Sequence, residues 1–106
     1  MGDHILSCVF SLPSENERFT SEEVHSLVQE FDHFLQTCGF QDVSIMEPVN
    51  IFSSNVLRIV VSWDGDINHE AVRTLAVEER VFRERVNRGK RQISVFISYT
   101  SEMGWD

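Results

Sequence analysis

Asp64-Gly65-Asp66-Ile67-Asn68 places oxygen-bearing side chains at alternating positions, the opening spacing of a loop that wraps calcium. Such a loop then turns on a glycine at its sixth position and closes with a bidentate glutamate at its twelfth. Here those places hold His69 and Leu75, so both the sharp turn and the closing ligand are missing. A turn into a helix with an acidic start accounts for the same residues. His25 and His33 stand eight residues apart, whereas a two-histidine zinc site on a helix uses a spacing of four. There is no Cys-x-x-Cys, no G-x-S-x-G, no P-loop and no G-x-G-x-x-G. Cys8 alternates with apolar residues that point inward, which suits a buried thiol better than a nucleophile. These residues predict no catalytic centre, no bound cofactor and no metal.

Charge is more informative. The chain has 106 residues and a formal net charge of −8. Up to Leu57 its only basic residue is Arg18, against nine acids, whereas from Arg58 onward eight basic residues meet eight acids. An acidic surface repels phosphate backbones, which argues against direct nucleic-acid binding. It suits a protein partner with a basic surface, through steering and complementarity. Glu15, Glu17, Glu22, Glu23, Glu30 and Asp32 are the residues expected to meet it. The apolar runs, such as Ile59-Val60-Val61, are too short to cross a bilayer. The start Met1-Gly2-Asp3-His4 has neither the basic stretch nor the apolar stretch of a signal peptide. Two isolated cysteines, Cys8 and Cys38, form no disulfide framework. Together these features predict a soluble cytoplasmic protein that engages no membrane.

The elements that position these residues follow from periodicity. His4–Leu12 alternates, with Leu6, Cys8, Phe10 and Leu12 on one side, and reads as a half-buried strand closed by Pro13. Thr20 and Glu23 form a capping box, with Phe19 and Val24 placed as a hydrophobic staple. From there Val24, Leu27, Val28, Phe31, Phe34, Leu35 and Cys38 trace one helical stripe that Gly39 ends. Val43–Phe52 and Val56–Trp63 read as strands joined across Ser53-Ser54-Asn55, with Pro48 marking an edge or a bulge. The second of these is the most apolar and is expected at the centre of the sheet. Asp66 or Asn68 caps a second helix from about His69 to Asn87, with Ala71, Leu75, Phe82 and Val86 inward. Glu79–Arg83 and Glu84–Arg88 are favourably oriented pairs on that helix, and Gly89 stops it. Arg91–Thr100 is the last strand, with Ile93, Val95, Ile97 and Tyr99 on one face, and the tail 103–106 is expected to be flexible.

The order strand–helix–strand–strand–helix–strand resembles the α+β, ferredoxin-like βαββαβ plan: a four-stranded antiparallel sheet in order 4-1-3-2 with both helices on one face, in a single domain spanning 1–106. The activities hosted by that fold leave no trace here. The loop Leu12-Pro13-Ser14-Glu15-Asn16-Glu17 lacks the glycines and arginine of an acylphosphatase-like phosphate cradle, and it lacks paired metal-carrying cysteines. Of the residues expected on the open face, only Phe96 has the aromatic character that RNA recognition on such a sheet needs. That face instead shows Val9, Val60 and Phe96 among serines and Arg58, a semi-apolar patch of the kind that marks association. Val77 and Val81, beside arginines on the outside of the second helix, form a smaller one.

The leading expectation is a non-enzymatic protein-binding domain acting as an inhibitor of a basic or nucleic-acid-handling protein. This is the general character of phage anti-defence proteins such as anti-CRISPRs and of toxin-immunity proteins, an analogy that no motif carries. One alternative is a dimeric α/β-barrel-type enzyme or ligand binder with a pocket using His4, His25, Tyr99 or Trp63. The other is a self-associating subunit, a homodimer through Val9, Arg58, Val60 and Phe96.

Overall fold

A computed structural model describes residues 4–40, 44–45, 55–64, 69–89 and 91–101. Its elements are β1 (His4–Ser11), α1 (Ser21–Cys38), β2 (Ser44–Ile45), β3 (Val56–Trp63), α2 (His69–Val86) and β4 (Ser94–Ser101). The domain is α+β, with two helices on an antiparallel sheet. Three eight-residue strands make up most of that sheet, with β1 between β3 and β4. The short β2 runs antiparallel along the outer edge of β3. The most apolar strand, β3, is thus flanked on both sides, but β1 is the one paired along its full length to two long neighbours.

Each helix boundary has a local cause. Thr20 accepts a hydrogen bond from the Glu23 amide at 3.1 Å, while the Glu23 carboxylate accepts one from the Thr20 amide at 2.8 Å. This reciprocal box satisfies two amides that the first helical turn leaves open. At the other end Gly39 adopts φ 110°, and its amide bonds back to Leu35 and Gln36. That left-handed conformation is one a β-carbon disfavours. The last strand begins at Ser94 and not at the expected Arg91, because the Asn87 side chain takes both backbone groups of Ile93, at 2.7 and 2.9 Å. Glu84 pairs with Arg80 at 3.7 Å, one turn toward the N-terminus, in place of the expected Arg88. Arg88 lies beyond the helix end at Val86, where the four-residue spacing no longer sets side chains side by side. Glu79 and Arg83 do pair, at 3.5 Å.

Most of Val43–Phe52, Pro48, the Ser53-Ser54 turn, the caps Asp66 and Asn68, and the tail 103–106 lie outside the described residues.

Both helices pack on the face that carries Leu6, Cys8 and Phe10. The joint between the layers is aromatic. Phe82 of α2 stacks on Phe34 of α1 at 4.4 Å between ring centres, and lies 6.0 Å from Phe31 and 6.2 Å from Phe10 of β1. One side chain therefore touches α1 and the sheet together. Both cysteines sit in this interior as free thiols. Burial, followed by the nearby Glu79 carboxylate, pushes the Cys8 thiol far above its ordinary range. Burial and Glu78 push Cys38 up to about 11.

Candidate functional site

With the helices on one face, the alternation of β1, β3 and β4 sends every second side chain to the other face. The strand register sets these in four rows across β3, β1 and β4: Ser62–Ile5–Thr100, Val60–Ser7–Ser98, Arg58–Val9–Phe96 and Val56–Ser11–Ser94. Among the described residues these four rows carry one cation and no acid, in a chain with 17 acids. Phe96 is 64% exposed. Val9, Arg58 and Val60 are half-buried. The Ser7 and Ser98 hydroxyls bond to each other across the strands at 2.8 Å, so this polar row costs less to cover than two unpaired hydroxyls. The four residues expected at a sheet-face interface are therefore neighbours in adjacent rows, with Phe96 as the projecting anchor.

The acidic residues expected to meet a partner are more scattered. Arg91 draws two of them inward: its guanidinium donates to Glu23 at 2.7 Å and to the Arg18 carbonyl at 2.6 Å, and Glu17 lies at 3.5 Å. Glu30 pairs with Arg85 at 3.8 Å. The Arg91 contacts tie the loop before α1 and the start of α1 to the segment before β4, and the Glu30–Arg85 pair joins α1 to α2. Glu15, Glu22 and Asp32 are exposed. No spacing pattern signals the Arg91 clasp, because Arg91 and Glu23 stand 68 positions apart.

Of the four residues suggested for a pocket, three come together. The His4 ring lies 5.2 Å from Trp63 and 6.1 Å from Tyr99, with its Nδ1 3.0 Å from the Tyr99 hydroxyl. Phe40 closes on Trp63 at 5.4 Å. His4 is fully covered, so this cluster is packing at the end of the sheet. His25 stands apart on the exposed side of α1, bonded to Gln29 at 3.1 Å. A shallow groove of about 550 Å³ between α1 and α2 is lined by residues including Leu27, Glu30, Arg85 and Ile93. The four charges at its wall pair off, Glu30 with Arg85 and Glu23 with Arg91. Among the described residues no group of three metal-ligating side chains converges, and no helix is long and apolar enough to cross a membrane. Of the calcium-like stretch, 65–68 lie outside the described residues.

No protein-family model matches the chain, and it matches neither a curated protein nor a solved structure.

Proposed function

We propose that this chain is a non-enzymatic protein-binding domain of ferredoxin-like plan, and that its contact surface is the open sheet face centred on Val9 and Phe96. The observation that carries the reading is the exposure of Phe96, 64%, on a row with Val9 and Arg58. An exposed aromatic anchor with a flanking arginine has the composition of an interface centre. Covering Phe96 removes on the order of 130 Å² of apolar surface from water, worth about 3 kcal/mol. A rigid sheet loses little freedom when it is covered, so more of that gain is kept than on a loop.

A second reading places a basic partner, such as a nucleic-acid-handling protein that the chain inhibits, against α1. The exposure of Glu15, Glu22 and Asp32 favours it. The pairing of Glu17, Glu23 and Glu30 with arginines of the same chain weakens it, since those acids would exchange an existing partner for a new one. Covalent capture of bound protein in the native host, with wild type beside Phe96→Glu and Glu22→Lys/Asp32→Lys, separates the two. The sheet-face reading expects loss with Phe96→Glu alone.

A further inference from the structure

The strand register makes the open face complementary to itself, and we infer that a second copy of this chain is the protein that covers it, with a twofold axis running along β1 above Val9. This inference rests on the sheet face being the contact surface. A twofold rotation about an in-plane axis along β1 carries β3 over the partner's β4 and β4 over the partner's β3. Val9 then meets its own symmetry mate. Arg58 meets Phe96 of the other copy, and Phe96 meets the other Arg58, because these two residues flank Val9 in the same row. A guanidinium over an aromatic face is an attractive pairing, and the symmetry supplies it twice. An axis across the strands would instead set Arg58 on Arg58.

Charge selects the same occupant. Two copies each carrying net −8 repel through most of their surfaces. Among the described residues, the open-face positions of β3, β1 and β4 carry no acid and one arginine, so these three strands can approach a second copy without acid opposing acid. The Ser7 and Ser98 hydroxyls lie in the next row and share a hydrogen bond, which lowers the cost of covering them. Three strands of eight residues give a footprint about 27 Å long and about 14 Å wide on each copy. Over both copies that is roughly 760 Å², below the area of a stable specific interface, so the dimer is weak and dissociates on dilution. Aligned packing of two such sheets puts their backbones about 10 Å apart, with side chains meeting between them.

Sedimentation velocity over micromolar to millimolar loading tests the association, and site-directed cross-linking tests the axis. Wild type is expected to shift from monomer to dimer across that range, and Phe96→Glu to weaken the association at least about 100-fold. With a short bismaleimide, Val9→Cys is expected to give a covalent homodimer, while Val60→Cys, carried over Ser98 of the other copy, gives one only when mixed with Ser98→Cys. The native thiols of Cys8 and Cys38 are buried and stay out of the reaction. A wild type monomeric at every loading overturns the inference. The sheet-face reading would survive that result if Phe96→Glu still abolished capture of a different protein. A dimer indifferent to Phe96→Glu, or one that cross-links through Val60→Cys alone, also overturns it.

Discussion

Phe82→Ala removes the side chain that joins both helices to the sheet. Phe82 is 2% exposed and its ring meets Phe34, Phe31 and Phe10. Truncation deletes six ring carbons from a site whose walls belong to three different elements and so collapse poorly. The transfer and cavity costs together are about 3–5 kcal/mol, and the lost stacking on Phe34 lies within that range. A domain of this size holds roughly 5–15 kcal/mol in all. Urea unfolding followed by far-ultraviolet circular dichroism reads the effect. With a slope of about 1–2 kcal/mol per molar urea, the midpoint is expected to fall by roughly 1.5 M or more, with the slope unchanged. A loss under about 1.5 kcal/mol would refute the reasoning, because it would mean that Phe82 is not wedged between α1 and β1.

Thr20→Ala deletes one half of the capping box and is expected to cost about 1 kcal/mol, read as a fall of several degrees in the melting midpoint. Cys8 and Cys38 are expected to resist iodoacetamide in the folded protein at pH 8 and to react readily in urea. Their folded thiols hold protons above the ordinary value of 9.0. Their contribution is therefore intact below pH 9, and stability falls as pH rises from there toward 11, by up to about 1.4 kcal/mol per pH unit for each thiol. Flat stability between pH 8.5 and 10.5 in a urea series would contradict that burial.

The sequence was most legible where one short segment sets its own conformation. Thr20 and Glu23 lie three apart and announce the start of α1, and Gly39 announces its end. The inward stripe Ala71, Leu75, Phe82 and Val86 follows from helical period alone. The alternation in β1 likewise placed Val9 opposite the core, and the same argument placed Phe96 beside it in β4. What periodicity does not carry is long-range pairing of side chains. The Arg91 clasp on Glu17 and Glu23 joins residues brought together only by the finished fold, and it changes the meaning of acids that looked available in the sequence. The start of β4 is hidden for a related reason: the Asn87 amide claims Ile93, and residue type does not reveal that contact. His4 is polar, yet it is buried between Trp63 and Tyr99 because the register of three strands stacks their rings.

The most direct test of the central claim is quantitative capture of bound protein, the chain's own copy included, by wild type, Phe96→Glu and Glu22→Lys/Asp32→Lys under one set of conditions in the native host. Phe96→Glu is expected to lose the captured protein, while the charge reversal on α1 keeps it. Undiminished capture by Phe96→Glu, with loss on Glu22→Lys/Asp32→Lys, would contradict it and move the contact surface from the sheet to the acidic helix.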